Sequence, residues 1–409
     1  MKVLIITYYW PPSGGAGVQR WLKFAKYLPD FGIEPTILTT RKGDYPVLDY
    51  SLSNDVDASL RVIRTATPTF QRWFGAGKSA PYGSLQQQKE NSLYQNLAIW
   101  IRLNLIVPDA RQIWNKQATA AARDLLSEER FDAVITTGPP HSTHLIGLKL
   151  QRIFALRWLA DFRDPWCEID YLKNSRRWWI TRQYDRYLQS KVVQKCDKVI
   201  SVNQAIVKSL QAEAKAEIIS NGYDPQDFAE SVEKNEKFTI AYFGLLSPER
   251  QPDCLIAALN KLYVAGWRDI SLDFYGKVEN RARLKAMAQA DFINFHPYLP
   301  HQAATRQMQS AHLLLLVINN VAENEGIITG KIFEYIGSKT PILAIGPESG
   351  EAADILADAA AGKMFDYQAV DSVAEYIKLI YQHKLQHATK AEKYGRKFLS
   401  GKLAKLLKA

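Results

Sequence analysis

Cysteine is rare in this chain of 409 residues, which contains only Cys167, Cys196 and Cys254. Their spacing fits neither a zinc site nor a disulfide framework, and so few cysteines are typical of a reducing compartment. Long apolar runs are absent too, because no stretch reaches the ~18 apolar residues that a membrane span needs. The apolar start, Lys2–Thr7, lacks the cleavage site of a secretory signal. These absences predict a cytoplasmic protein, soluble or peripheral to a membrane.

Acidic residues are outnumbered, since 52 Lys and Arg against 42 Asp and Glu give a net charge of +10. Such a surface attracts phosphates, nucleic acid or anionic lipid, but the basic residues form no contiguous motif, so nucleic acid is not a predicted partner. They concentrate around Trp178 and Trp179 in KNSRRWWITRQYDR, Lys173–Arg186. Either this stretch rests on an anionic membrane with its rings at the interface, or its tryptophans pack in a helical core.

Short apolar runs alternate with helical patterns in both halves, which predicts βαβ units and parallel sheets. The predicted strands are Lys2–Thr7, Thr36–Thr40, Ala133–Thr137, Arg157–Ala160 and Lys198–Val202, then Phe238–Phe243, Ser271–Tyr275, Ile293–His296, Leu313–Val317 and Pro341–Ala344. The polar stretch Asp224–Lys237 is the predicted linker, Arg64–Gln95 is predicted to be irregular, and Glu392–Lys408 is predicted to be a helix. The length suits two α/β domains.

A glycine turn, PPSGGAGVQR, follows the first strand and opens a helix. Gly15 and Gly17 let the backbone approach an anionic ligand, which the helix N-terminus also favours; the alternative is a tight strand–helix turn. A dinucleotide fingerprint needs a third glycine where Arg20 stands, and no acid ends the second strand. No Gly-Lys-Ser/Thr follows, so a P-loop is excluded as well.

Two further motifs end strands of the first half. In PPHSTH, His141 is placed to contact a substrate hydroxyl or a transferred sugar, unless it caps the helix as His144 can. No third ligand accompanies this histidine pair, so no metal site is predicted. In DFRDPW, Asp161 or Asp164 can bind acceptor hydroxyls and Arg163 a phosphate; the alternative is a structural salt-bridge cluster.

The second half carries the most specific motif, ENEGIITGKIFEYIG, in which a loop feeds a helix. Backbone amides at Ile328, Thr329, Gly330 and Lys331 can hold phosphate oxygens, helped by the helix N-terminus and the lysine charge. Glu334 lies one turn further on the same face and can accept hydrogen bonds from ribose hydroxyls. The alternative is a surface ion pair between Lys331 and Glu334.

Two weaker signals flank this motif. Gly244 ends the first strand of the second half, and Arg250 before the next helix can clamp a diphosphate or lie solvated at the surface. Asn221 and the glycine after it form a turn dipeptide just before the linker.

Taken in order over nearly the whole chain, these motifs resemble glycosyltransferases of family 4, most of all bacterial members that carry PPHSTH, DFRDPW and TGKIFEY. The resemblance implies the α/β fold called GT-B, in which two Rossmann-like domains face each other across a cleft and a C-terminal helix crosses back to the N-terminal domain. The implied acceptor-side domain is residues 1–226 with the helix at about 390–409, and the implied donor domain is residues 236–388. The implied reaction retains anomeric configuration and needs no metal or other cofactor.

The resemblance also implies residue roles. Gly15 and Gly17 would lie beside the diphosphate of a UDP- or GDP-sugar donor, and His141 near its sugar. At further matching positions, Gly244, Arg250 and Lys331 would bind the diphosphate and Glu334 the ribose. The backbone at Tyr298 and Leu299 would bind the base. The turn at Asn221 matches the turn that precedes the linker in the family. Two positions depart from the family. Glu325 stands one place away from the family's first glutamate, whose position holds Gly326, and Leu245 replaces a common arginine.

The resemblance therefore implies a hexosyltransferase-like enzyme that acts on a glycan or lipid-linked acceptor in cell-surface polysaccharide or glycolipid synthesis. The expected location is the cytoplasm, either free or peripheral at the inner face of the cell membrane. Arg250, Lys331 and the helix-end amides would neutralise the departing diphosphate. No carboxylate pair suggests a hydrolase. A nucleotide-sugar epimerase of the same fold and a non-catalytic nucleotide-sugar or glycan-binding protein remain as alternatives.

Overall fold

The structure is a computed structural model that describes residues 1–67, 93–169, 172, 175, 177–382 and 389–409. Residues 68–92 of the stretch predicted to be irregular lie outside that part, as do residues 173, 174 and 176 of the basic stretch. The described chain forms two compact units. Unit 1 comprises Met1–Ser220 with Ser400–Ala409, and unit 2 comprises Asn221–Leu399.

Unit 1 is built on a parallel sheet of seven strands in the order β3-β2-β1-β4-β5-β6-β7. Its strands are β1 (Lys2–Ile6), β2 (Glu34–Thr40), β3 (Arg61–Thr65), β4 (Ala133–Gly138), β5 (Trp158–Phe162), β6 (Lys198–Ser201) and β7 (Ala216–Ile218). Its helices are α1 (Ala16–Tyr27), α2 (Leu93–Asn104), α3 (Asn115–Glu128), α4 (His144–Phe154), α5 (Trp179–Lys195) and α6 (Gln204–Leu210).

Unit 2 repeats this plan with six parallel strands in the order β10-β9-β8-β11-β12-β13. Its strands are β8 (Phe238–Phe243), β9 (Ile270–Tyr275), β10 (Ile293–His296), β11 (Leu313–Val317), β12 (Ile342–Ile345) and β13 (Gly362–Phe365). Its helices are α7 (Asp253–Val264), α8 (Arg281–Met287), α9 (His301–Ser310), α10 (Lys331–Ser338), α11 (Glu351–Asp358) and α12 (Val370–Tyr381), and α13 (Arg396–Lys408) begins there.

The central strands are apolar without alternation because helices cover both faces of each sheet. Every residue of β4, β8 and β11 is buried. In unit 2, α7 and α12 contribute to one apolar core and α10 and α11 to a second. The strand order reverses between β1 and β4 in unit 1 and between β8 and β11 in unit 2. In such sheets, ligands bind at the carboxyl ends of the strands flanking that reversal.

The last ten residues pack in unit 1 although α13 begins in unit 2. Leu403 and Leu407 are buried. The Arg157 guanidinium donates to the carbonyls of Leu406 and Leu407, both at 2.9 Å. These bonds satisfy carbonyls that the helix end leaves unpaired.

The compact units divide at Ser220, before the expected linker, because the Asn-Gly turn already packs with unit 2. The Tyr223 amide donates to the Tyr394 carbonyl at 3.1 Å, and a side chain on Gly222 would collide with that carbonyl. Part of the predicted linker is a 3-10 turn, Pro225–Phe228.

The α/β class with two parallel sheets is confirmed, and the predicted strands are present within a few residues of their expected bounds. Three strands were not predicted. In β3, two arginines interrupt the apolar pattern, so the expected irregular stretch from Arg64 begins inside a strand. The edge strands β7 and β13 are only three and four residues long.

Candidate functional site

The carboxyl end of β8 meets the start of α10 in unit 2. Gly244, the residue after β8, has a φ of +97°, which a residue with a side chain rarely adopts. A side chain there would also crowd Lys331, whose Cε and Nζ lie 3.0 and 3.2 Å from the position its Cβ would take. The sequence therefore places a lysine ammonium directly beside the glycine that ends the central strand.

Tyr242 holds this ammonium in place. Lys331 Nζ donates to the Tyr242 hydroxyl at 2.7 Å and lies 4.1 Å from the centre of its ring. The hydroxyl in turn donates to the Leu245 carbonyl at 2.7 Å. Leu245 itself, where the resembled family often has an arginine, is exposed. Lys331 thus places a positive charge at the end of β8, next to Leu245, where the family's arginine is missing.

Burial changes the acidity of this lysine. Desolvation and, to a lesser extent, repulsion from Arg250 lower the pKa of Lys331 to about 7, against the opposing effect of Glu334. A desolvated ammonium favours an anion that replaces its lost hydration. A bound diphosphate would raise this pKa again.

Arg250 is fixed close to the same point by two hydrogen bonds. Its Nε donates to the Asn319 Oδ1 at 2.7 Å and its Nη1 to the Leu245 carbonyl at 3.0 Å. The side chain is half-buried. The surface alternative is therefore disfavoured, because these contacts aim the guanidinium along the end of β8.

The loop that enters α10 leaves polar groups unpaired. No side chain caps the helix at Gly330. The amides of Ile332 and Phe333 donate to the Thr329 and Gly330 carbonyls at 3.2 and 3.3 Å, whereas those of Thr329, Gly330 and Lys331 donate to no backbone carbonyl of the described residues. The Thr329 hydroxyl is buried and makes no hydrogen bond within the described part of the chain. Ile328 is half-buried with Thr329. Unpaired amides, an unpaired hydroxyl and the helix dipole together suit an oxyanion.

Glu334 lies one turn along α10 and is half-buried. Desolvation raises the pKa of Glu334, and the charges of His301 and Arg396 lower it. Among the described residues it forms no ion pair with Lys331, whose ammonium bonds to Tyr242 instead. The surface ion-pair alternative therefore fails. A partly buried carboxylate that accepts no hydrogen bond from the described residues can accept from two vicinal hydroxyls.

Aromatic rings line the carboxyl ends of three neighbouring strands of unit 2. Phe243 stacks on Tyr275 with ring centres 4.9 Å apart, and Tyr275 stacks on His296 at 4.5 Å. Tyr298 and Leu299 follow β10; Tyr298 is 78% exposed, and Leu299 is half-buried against the core. These rings border the segment that the resemblance assigns to the base.

Two other predicted residues of unit 2 lie outside regular helices and strands. Glu325 belongs to a 3-10 turn, Asn324–Gly326, and its side chain is exposed. The Asn221 Oδ1 is buried and hydrogen-bonds to no described residue. The surroundings of these two side chains assign no role to them.

In unit 1, the two glycines of the PPSGGAG turn differ in what requires them. Gly15 has a φ of +106°, and nothing lies within 4 Å of where its Cβ would be. Gly17 is needed for a different reason, because a Cβ there would fall on the Arg163 guanidinium. The backbone at Gly15 is thus open to a ligand, and Arg163 lies against the first turn of α1.

Arg163 is held by the PPHSTH turn. Its Nε donates to the Gly138 carbonyl at 3.1 Å and its Nη2 to the Pro139 carbonyl at 2.7 Å. The Nη1 atom is the one that lies against Gly17. Arg163 therefore brings a positive charge to the N-terminus of α1 from the end of the adjacent strand β5.

His141 and His144 are both buried beside this arginine. His141 stacks on Trp166 with ring centres 5.1 Å apart, and neither of its nitrogens has a hydrogen-bond partner among the described residues. His144 Nδ1 lies 2.9 Å from the Thr136 hydroxyl. Desolvation lowers the pKa of His141 well below its usual value, with repulsion from His144 and Arg163 adding to it. His141 is therefore neutral and has hydrogen-bonding capacity to spare.

The two aspartates of DFRDPW have different surroundings. Asp161 is fully buried and accepts from Arg20 at 3.0 Å, Trp21 at 2.8 Å and Thr137 at 2.7 Å. Asp164 is half-buried, hydrogen-bonds to no described residue, and has a pKa raised by desolvation. The salt-bridge alternative thus describes Asp161, and Asp164 is the carboxylate that a substrate could reach.

Sequence reasoning missed the residues that position these groups, chiefly Tyr242, Tyr275 and His296. Aromatic residues at strand ends were the available signal, but strand ends of any core carry such residues. Within the described residues, no group of three His, Cys, Asp or Glu side chains is arranged to hold a metal ion.

Comparison with known proteins agrees with the geometry of unit 2. Residues 224–398 match the model of the family described as Glycosyl transferases group 1. This match lies within unit 2 and covers less than half of the chain. No curated protein matches the sequence. Unit 2 is thus the part of the chain whose sequence is similar to this family.

Solved structures share the fold of the whole chain. HepE from Anabaena, in complex with UDP and glucose, is 15% identical with a TM-score of 0.59, over 100% of this chain and 99% of that one. The lipopolysaccharide outer core galactosyltransferase WaaB is 10% identical with a TM-score of 0.59, over 100% of both chains. A UDP-N-acetylglucosamine 2-epimerase assigned in Listeria monocytogenes is 13% identical with a TM-score of 0.55, over 100% and 95%. The predicted GT-B class of two Rossmann-like domains is confirmed.

Proposed function

We propose that the protein is a retaining glycosyltransferase that moves a sugar from a UDP- or GDP-sugar to a glycan or lipid-linked acceptor. The observation that carries the proposal is the start of α10. There a desolvated lysine, a partly buried carboxylate that hydrogen-bonds to no described residue, and helix amides without a side-chain cap lie within two turns of one another. This order of charges suits a nucleoside diphosphate, with phosphates toward Lys331 and ribose hydroxyls toward Glu334.

The donor half of the reaction follows from these groups. Negative charge develops on the β-phosphate as the bond to the sugar breaks, and Lys331, Arg250 and the amides of Thr329 and Gly330 would neutralise it. Because these donors are already fixed in place, little reorganisation is needed during the reaction. The resemblance implies attack from the face of the leaving group, with the departing phosphate accepting the acceptor's proton.

Unit 1 offers groups for the sugar and the acceptor. We assign His141 to a hydroxyl of the transferred sugar, since neither of its nitrogens has a hydrogen-bond partner in the described part of the chain. Arg163 adds positive charge at the glycine turn. Asp164, rather than Asp161, would bind the acceptor hydroxyl, because Asp161 is consumed by three protein hydrogen bonds.

The cellular setting of the proposal is cell-surface polysaccharide or glycolipid synthesis at the cytoplasmic side of a membrane. The likeness to WaaB supports this class, since WaaB is described as a lipopolysaccharide outer core galactosyltransferase. Among the described residues, no helix combines the length and the apolar character needed to cross a bilayer.

A thermal-shift screen against UDP- and GDP-sugars tests the proposal, because a ligand of the native state raises the melting temperature by mass action. The cognate donor should stabilise the wild type and the control Lys363→Met, whose lysine is exposed on β13. It should not stabilise Lys331→Met or Glu334→Ala. Equal stabilisation of all four proteins would reject the site.

The epimerase alternative has one specific observation in its favour, the fold shared with an epimerase. Incubation with the cognate donor alone separates the two reactions. A glycosyltransferase leaves the donor sugar's configuration unchanged until acceptor is added, whereas an epimerase converts it without acceptor.

A further inference from the structure

An exposed aromatic surface lies on unit 1, where the end of α2 meets the start of α5. We call it the aromatic edge and define it by Leu105, Trp178, Trp179, Ile180 and Tyr184. Their exposed fractions are 61%, 53%, 72%, 70% and 52%. Such a cluster of large exposed apolar side chains is unusual unless something covers it. The alternative that the two tryptophans pack in the core is therefore wrong.

The aromatic edge is rigidly supported from below. The Trp178 amide donates to the Asn104 Oδ1 at 2.7 Å, and the Thr181 hydroxyl donates to the Asn104 carbonyl at 3.0 Å. The Trp100 and Trp178 rings meet edge to face with centres 4.8 Å apart. Exposure of the rings is thus built into the junction of the two helices.

The exposed charge on α5 beside the edge is basic. The exposed charged side chains of α5 include Arg182 and Arg186, and its only acid, Asp185, is buried. Asp185 is neutralised by Arg177 at 2.8 Å and accepts from the Trp166 indole at 2.7 Å. No acid lies in the first turn of α5, so the positive end of the helix dipole adds to the basic side chains.

A small cavity adjoins the edge. It has a volume of about 140 Å³ and is lined by Arg177, Arg182, Arg186, Glu168, Leu172 and Cys167. Arg182 donates to the Ser175 carbonyl at 3.0 Å, and Arg186 lies 3.6 Å from Glu168, so both guanidinium groups keep further donors. The remaining donors of Arg182 and Arg186 beside a space of this size suit a phosphate ester, while Arg177 is held by Asp185.

We infer that the aromatic edge docks on an anionic lipid bilayer, with Trp178, Trp179 and Ile180 entering the interface and Arg182 and Arg186 binding lipid phosphates. Tryptophan and tyrosine rings with an arginine rim match the headgroup region of a bilayer. A protein partner would need acidic groups that complement this rim. The inference goes beyond sugar transfer, because none of these residues belongs to the proposed donor site.

Vesicle flotation of the full chain tests the inference. Wild type should float with vesicles of phosphatidylcholine mixed with phosphatidylglycerol, and much less with phosphatidylcholine alone. Trp179→Ala/Ile180→Ala should lose binding to both kinds of vesicle. Arg182→Gln/Arg186→Gln should lose only the anionic preference, roughly fivefold in partition for each arginine.

The matched control is Val264→Ala/Arg268→Gln, an exposed apolar and basic pair on unit 2, which should float like wild type. Unchanged flotation of both edge variants would overturn the inference. Self-association of the wild type that the edge variants abolish, without any flotation, would overturn it in favour of a second copy of the chain. Binding of inorganic phosphate by a protein that binds no vesicles would show a free-phosphate site and would also overturn it. Donor-induced thermal stabilisation of the same variants shows separately whether the proposed enzyme is intact.

Discussion

At the scale of single residues, Lys331 connects local structure to ligand chemistry most directly. Its ammonium is buried on Tyr242 and beside Arg250, and its pKa falls to about 7. With this pKa, the Lys331 amine of the free protein loses its proton as the pH rises through about 7. An approaching diphosphate would supply the counter-charge that the fold withholds.

This leads to a pH-dependent affinity. Because the free-state pKa is about 7 and a bound diphosphate raises it, binding takes up a proton above that pH. Affinity for the nucleotide sugar should be constant well below pH 7 and fall by up to about tenfold per pH unit above it. Isothermal titration calorimetry from pH 6 to 9 measures this, since the donor's phosphodiester groups do not titrate there.

Lys331→Arg is the control for this dependence, because arginine stays protonated throughout the range. It should bind with a nearly flat pH profile. A profile in the variant as steep as in the wild type would assign the titration to another group.

The two aspartates of DFRDPW should separate stability from activity. Asp161→Asn leaves the buried Arg20 without its counter-ion and should destabilise unit 1 by roughly 3–5 kcal/mol. Asp164→Asn removes no hydrogen bond to a described residue and should change stability by less than about 0.5 kcal/mol, yet impair transfer to the acceptor. Denaturant unfolding and release of nucleoside diphosphate in the presence of acceptor measure the two effects. The opposite pattern would return the acceptor role to Asp161.

At the scale of elements, the sequence predicts the central strands well because buried parallel strands are long apolar runs. It fails where tertiary context decides. The half-buried strand β3 reads RVIRT, with arginines at its first and fourth positions. The side chains of Lys331 and Glu334 were identified because i and i+3 share a helix face. The role of Tyr242 was not identified, because it lies 89 residues before Lys331 in the sequence and no local pattern links the two.

At the same scale, the C-terminal helix α13 is expected to stabilise unit 1. Leu403 is fully buried in unit 1, and Arg157 ties the helix end to the sheet. Leu403→Ala should cost about 2–5 kcal/mol, as for other buried leucines. The melting temperature should therefore drop, while Lys405→Ala, exposed on the same helix, should leave it unchanged. Equal melting temperatures for both variants would mean that the helix end is not part of the core of unit 1.

At the scale of the whole molecule, two units of the same architecture carry different chemistry. Unit 2 has the cations and the carboxylate that suit a nucleoside diphosphate, and its sequence matches a glycosyltransferase family model. Unit 1 has a neutral buried histidine, a clamped arginine and an exposed basic-aromatic surface. The net charge of +10 suits both anionic ligands, the donor and the bilayer.

The most direct measurement is the dissociation constant of the cognate nucleotide sugar for the wild type, Lys331→Met and the control Lys363→Met, by calorimetry at pH 6.5. Loss of a charge-assisted contact of about 1.5–3 kcal/mol should weaken binding roughly 10- to 100-fold in Lys331→Met, with the control equal to wild type. Equal dissociation constants for all three proteins would contradict the placement of the diphosphate at the start of α10.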